Sequence, residues 1–178
     1  LLLQSLHPLA MAGVANYSDY RQDPWGRLQR TADFLAATSF GPADEAQRIV
    51  NRVKAVHVKV NGVASDGRNY SATDPHLLKW VYIAEIDSFL HTYQKFSKAP
   101  LDQAGRDGYV KDAALVARAV GVIDPPETEA QLREMINSYR PELKSTRESR
   151  DATKYLLFKP PLPGAAKIPY WLLMVATV

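Results

Sequence analysis

The chain has 178 residues, 46% of them hydrophobic and 23% charged, which suits one globular domain with a substantial core and excludes a disordered chain. Its formal charge of +3 comes from 22 basic and 19 acidic residues scattered along the sequence, so no basic stripe or tail marks a nucleic-acid surface and no nucleic-acid partner is expected. The absence of cysteine excludes disulfides, thiolate-held iron–sulfur or zinc sites and a thiolate nucleophile, while the compartment stays open.

The opening run Leu1-Leu2-Leu3-Gln4-Ser5-Leu6-His7-Pro8 lacks the charged start and small-residue cleavage site of a signal peptide. Asp23-Pro24 then offers a helix cap followed by a first-turn proline, and apolar and aromatic residues recur at helical spacing to about Phe40. Gly41-Pro42 ends this helix and starts another. The next segment sets Ile49, Val50, Val53, Val56 and Val60 on one side and Arg48, Arg52, Lys54 and Lys59 mainly elsewhere, predicting an amphipathic helix that stops near Asn61-Gly62.

A polar loop through Asp66, Gly67, Arg68 and Asn69 leads to Asp74-Pro75, again a cap and first-turn proline, which opens a long aromatic run from Leu77 to Phe96. Its length and apolar content predict the central buried helix. Further helices are expected over 107–120, 128–139 and 143–158, the second opening on the capping-box pattern Thr128-Glu129-Ala130-Gln131. Pro160, Pro161, Pro163 and Gly164 interrupt the chain before the apolar run 168–178, which is shorter than the roughly 20 residues a spanning helix needs and suits a packed or interfacial segment. No alternating pattern long enough for a sheet appears, so the fold is read as all-α, with seven or eight helices in a single domain over 1–178 that is expected to be part of a longer chain. Any membrane association would then lie in segments beyond these residues.

Several chemistries leave no trace. There is no Gly-rich phosphate loop, no His-Glu-x-x-His, no Gly-x-Ser-x-Gly elbow and no Glu-x-x-His pair. Asp87 and His91 are four apart on one predicted helix, but two ligands do not make a metal site. His7, before Pro8, and His76, in the first turn of the long helix, each read as structural when taken alone.

A different constellation carries more chemistry. Arg27 and Thr31 are i and i+4 on one helix face, with Arg30 a turn from Arg27, while His57 lies four residues after Val53 on the apolar face of the next helix. Two guanidinium groups, a hydroxyl and an imidazole on neighbouring helices are what an anionic, iron-bearing cofactor needs: an axial nitrogen and cationic partners for carboxylates. The bland alternative stands beside it, with His57 a hydrogen-bonded core residue and the arginines a solvated helix start. Phe34 continues the Arg27 and Thr31 face toward the interior, where a guanidinium requires an anionic partner, either a cofactor or a protein carboxylate.

The blocks Leu3-Gln4-Ser5-Leu6-His7-Pro8, Asp23-Pro24-Trp25-Gly26-Arg27-Leu28-Gln29-Arg30-Thr31, His57 with Asn61-Gly62, Tyr70-Ser71-Ala72-Thr73-Asp74-Pro75 and Leu78-Lys79-Trp80-Val81 resemble the oxygenase family that includes the rubber oxygenases (latex-clearing proteins) and the mycophenolic-acid-pathway oxygenase MpaB. The order of blocks persists to Gly121-Val122-Ile123 and Pro125-Pro126, so the resemblance covers most of the chain.

What the resemblance implies is a globin-like helical core around a pocket for haem b, with dioxygen used on an apolar, isoprenoid-type substrate. It implies His57 as the haem iron ligand, and Arg27 and Thr31 as the arginine and threonine of the opposing helix, facing dioxygen or a haem propionate. Arg30 falls where polymer-cleaving members carry a lysine; arginine stays protonated and is a poor iron ligand. Those members also place an acid about four helical turns before the arginine, whereas Leu9 to Asn16 contains none, which counts against polyisoprene as substrate but not against haem. Two alternatives remain: a haem or dioxygen binder without turnover, and a cofactor-free helical interaction subunit.

Overall fold

The computed structural model describes residues 2–18 and 21–158, together with Leu162, residues 168–170 and Leu172. Among these are seven α-helices: α1 (Pro8–Tyr17), α2 (Pro24–Phe40), α3 (Ala43–His57), α4 (Pro75–Phe96), α5 (Gln103–Val120), α6 (Glu129–Tyr139) and α7 (Arg147–Phe158), with 3-10 turns at Gln4–Leu6 and Arg140–Glu142. The fold is predominantly helical, as the sequence pattern predicts. Most of the apolar run 168–178 lies outside the described residues.

Helix starts follow the capping chemistry written in the sequence. Asp23 accepts from Gly26 N at 2.9 Å at the head of α2, and Asp74 accepts from His76 N at 2.8 Å at the head of α4, each followed by proline at the first helical position. Thr128 accepts from Gln131 N at 3.2 Å, but Gln131 reaches back to Glu127 N rather than to the cap residue. α5 ends on Gly121, whose φ of 117° lets its N–H and that of Val122 turn back to carbonyls of the last turn.

The core is built on α4. Its Trp80, Ile83, Ala84, Ile86 and Leu90 pack with Val110 of α5 and with Leu132 and Tyr139 of α6. Full burial of each large apolar side chain contributes roughly 1.5–3 kcal/mol, so this cluster dominates the stability. Trp80 buries its ring completely and satisfies its indole N–H by donating to Gln4 O at 3.1 Å, which fixes the N-terminal 3-10 turn against α4.

Two short strands, β1 (Asn61–Val63) and β2 (Asn69–Ser71), pair antiparallel where the sequence reading places the end of a helix and a loop. α3 stops at His57 instead of near Asn61-Gly62. Three-residue strands are too short to show alternation, and what fixes them is the turn: Gly67 takes φ 85° and its N–H donates to Ala64 O at 2.9 Å. This hairpin clamps α1, since Asn16 Nδ2 donates to Tyr70 Oη at 2.8 Å and Tyr17 Oη donates to Asn61 O at 2.8 Å.

α2 and α3 form a separate layer. α2 packs on α3, and α3 on α5. Among the described residues α2 buries only Ala37 fully and α3 only Val50, so this helical hairpin is held far less tightly than α4.

Candidate functional site

The inward face of α3 runs through Ala46, Ile49, Val50, Val53 and His57, each buried or half-buried, while Arg48, Arg52 and Lys54 are exposed. That spacing is the helical period, and it makes His57 the last residue of the apolar face; Val56, expected on this face, points outward instead at 53% exposure. Burial lowers the His57 pKa below its ordinary value, which keeps the imidazole neutral and its lone pair available. Among the described residues the ring has no hydrogen-bond partner, unlike a structural core histidine.

On α2 the corresponding face runs through Arg27, Thr31, Phe34 and Thr38. Arg27, Phe34 and Thr38 are half-buried, and Thr31 is exposed between them. Thr31 Oγ1 donates to Arg27 O at 3.1 Å, leaving its oxygen lone pairs free to accept. Arg30 turns outward and pairs with Asp23 Oδ2 at 3.2 Å, both side chains more than half exposed. The Gly26 amide and then Arg30 hold the Asp23 carboxyl below its usual range.

Gly41 closes α2 and Pro42 precedes α3, so the two helices double back on each other. Arg27 and His57 each stand about four helical turns from that corner, which puts them at the same level of the hairpin. The fold thus brings the two ends of the predicted constellation to one end of one layer. Arg27 also lines a small cavity with Leu2, Ser5, Met11, Val14 and Leu156, with room for about one water at ≈ 10 Å³.

Sequence reasoning passed over a second group on the central helix. Tyr82 Oη is buried without a hydrogen-bond partner among the described residues, and burial raises its pKa. Burial pushes the Tyr109 hydroxyl to about 12, and burial likewise raises the carboxyl of half-buried Glu85. Tyr82 and Glu85 sit within the long aromatic run, where their apolar neighbours conceal them, and Tyr109 is on α5. The Asp87 and His91 pair opens instead onto a polar groove of about 360 Å³ that it shares with Gln94, Arg106, Glu129 and Arg133.

A family model described as the ER-bound oxygenase mpaB/B′/rubber oxygenase catalytic domain matches residues 1–178. The chain belongs to this family. No curated protein and no solved structure matches it. The family makes an oxygenase-type activity the functional class of this domain and agrees with the resemblance carried by the Arg27, Thr31 and His57 blocks.

The donor set suits a haem: a neutral, half-buried imidazole with no hydrogen-bond partner among the described residues, and a half-buried guanidinium as a charged donor. The cavity beside Arg27 is too small for a porphyrin, so the loosely packed α2 and α3 layer would have to shift to seat one.

Proposed function

We propose that the protein is a haem b-dependent oxygenase that uses dioxygen to oxidise or cleave an apolar, isoprenoid-type substrate. The observation that carries this reading is the neutral His57, without a hydrogen-bond partner among the described residues and about as far from the Gly41-Pro42 corner as Arg27, within an oxygenase-family domain. When bound, the haem would supply the iron centre at which dioxygen is activated.

The chain's own residues would do the rest. A ring nitrogen of His57 would hold the iron, and because burial keeps the ring neutral no proton has to be removed at neutral pH. Arg27, half-buried beside Leu2, Met11, Val14 and Leu156, would donate to an anionic oxygen in surroundings that exclude most water, where charge-assisted hydrogen bonds are strongest. Thr31, whose proton goes to Arg27 O, can accept one further hydrogen bond from the adjacent turn. Arg30, one turn from Arg27 and paired with Asp23 at the exposed rim, would serve a carboxylate of the cofactor. The side chains beside Arg27, Leu2, Met11, Val14 and Leu156, are apolar and would favour a hydrocarbon over a polar substrate once the layer opens to admit one.

The test is oxygen-dependent product formation by the haem-loaded protein, with squalene or a farnesyl compound as a short probe and polyisoprene as a long one. Aldehyde or ketone products from the short probes are expected. Stoichiometric haem with no product from any probe would replace this reading with a non-catalytic haem or dioxygen binder, the alternative favoured by the absence of an acid along Leu9 to Asn16. Protein that takes up no haem would point to a cofactor-free interaction subunit.

A further inference from the structure

His7, His76 and Glu142 are far apart in sequence, yet they converge where α1 and α4 begin and the second 3-10 turn ends. His7 Nε2 lies 3.3 Å from Glu142 Oε2, and His76 Nε2 lies 2.9 Å from Oε1 and 3.0 Å from Oε2 of the same carboxylate. One ligand atom from each residue falls within 4.8 Å of the other two. We propose that these three side chains form a binding site for a borderline divalent transition ion of the zinc type, separate from the Arg27 and His57 constellation.

The geometry is nearly that of a bound ion. Zinc bonds to nitrogen and oxygen of about 2.0–2.2 Å, arranged tetrahedrally, place neighbouring ligand atoms roughly 3.3–3.5 Å apart. The His7 to Glu142 separation already has this value, His76 lies slightly closer to Glu142 at 2.9 Å, and all three ligand atoms fall within 4.8 Å of one another.

The ligands are also held by their surroundings. His7 is 1% exposed, with Trp80 and Tyr139 rings about 6 Å from its own. His76 stacks on Tyr139 at 4.4 Å, and the Tyr139 hydroxyl donates to His76 O at 2.9 Å. The segment after Glu142 is tied to the first turn by Lys144 N donating to Leu6 O at 2.8 Å. Such support from surrounding side chains and backbone is what fixes ligand rings in metal sites.

Two imidazoles and one carboxylate discriminate among cations. Magnesium and calcium prefer all-oxygen surroundings, whereas nitrogen donors favour zinc, copper, nickel or iron. His7 Nδ1 accepts from Ala10 N at 3.5 Å, so in the metal-free protein the ring proton sits on Nε2 and faces Glu142. Metal entry moves that proton to Nδ1 and costs a contact already at the outer limit of a hydrogen bond. Arg68 contributes positive potential at His7 and Glu142 that opposes any divalent cation alike, so preference among ions rests on the two nitrogen donors. Three protein ligands, with Glu142 and His76 reaching solvent, leave the fourth position for water.

The experiment titrates Zn²⁺ and, separately, Mg²⁺ into tag-free protein by calorimetry, with thermal melts run in parallel. One zinc per chain, a higher Tm with zinc and no response to magnesium are expected. Because His7→Ala can fail through loss of core packing, the deciding variants are His76→Ala and Glu142→Gln, which change exposed groups. Each should weaken zinc binding by about tenfold or more and abolish the zinc-dependent rise in Tm. His57→Ala should retain the zinc response, which separates this site from any haem ligand. Unchanged zinc affinity in Glu142→Gln and His76→Ala, or no saturable zinc binding by the wild type, would overturn the proposal and leave the three residues as a hydrogen-bonded tie.

Discussion

Arg27 and His57 lie toward the open ends of α2 and α3, each about four turns by residue count from the Gly41-Pro42 corner, and among the described residues these two helices bury only Ala37 and Val50. A cationic donor and a neutral imidazole are thereby offered from two adjacent helices that can adjust without disturbing the α4 core. Neither residue belongs to the buried clusters, so their removal is expected to leave the fold in place and to separate their roles.

His57→Ala should lose haem and keep its helices. The side chain closes the apolar face of α3 but belongs to none of the buried clusters, so truncation costs little packing, whereas the axial bond dominates cofactor retention. Haem content measured beside far-ultraviolet circular dichroism checks this. Equal haem in variant and wild type would remove His57 from the ligand role, and a collapse of helicity would make it a core residue.

Arg27→Leu should leave haem content near normal and lower turnover per haem by at least about a hundredfold, the usual cost of removing one preorganised charged donor. Thr31→Val should lose less, because its hydroxyl offers one neutral hydrogen bond and already spends its proton on Arg27 O. Turnover per bound haem is the measurement. If haem retention falls and turnover per haem does not, Arg27 serves a propionate instead.

α2, α4 and α6 with their caps, and the central place of α4, were legible because Asp23-Pro24, Asp74-Pro75 and Thr128 state their chemistry within a few residues, whereas α1 and the Asp102 cap of α5 carry no such signal. The two strands were not, because three-residue ladders depend on the Gly67 turn and on contacts with α1. Arg27 and His57 were legible as candidates from face and period. Arg30 was legible as a cation, but its outward turn toward Asp23 is set by the cap geometry. The convergence of Glu142 with His7 and His76 depends on how α6 returns the chain to α4, a long-range packing result that no local pattern announces.

The ion network at the foot of α5 and α6 sets an acid-sensitive part of the stability. The Arg106 hydrogen bond, at 2.8 Å, holds the Glu129 carboxyl below its ordinary value of 4.5, with Gln103 and Arg133 adding to it. A depressed folded-state value stabilises the fold fully above pH 4.5 and loses that contribution as pH falls below it. Glu129→Gln should therefore cost about 1–2 kcal/mol at pH 7, and the difference from wild type should shrink in melts below pH 4.5. A difference that stays constant with pH would contradict this.

Trp80→Ala should destabilise by about 3–5 kcal/mol, through the cavity left in the α4 core and the loss of the bond to Gln4 O. Denaturant midpoints at unchanged m-value measure it. A cost under about 1 kcal/mol would show that the α4 cluster is not the main support of the fold.

Haem held through His57 is the step on which the proposed oxygenase chemistry of this domain rests. The most direct test is the absorption spectrum of protein purified from haem-supplemented cells, recorded as isolated, after reduction and after addition of carbon monoxide. The account predicts a Soret band that shifts at both steps, with about one haem per chain by pyridine haemochrome and none in His57→Ala. A wild-type spectrum with no Soret band, or one that His57→Ala leaves unchanged, would contradict it.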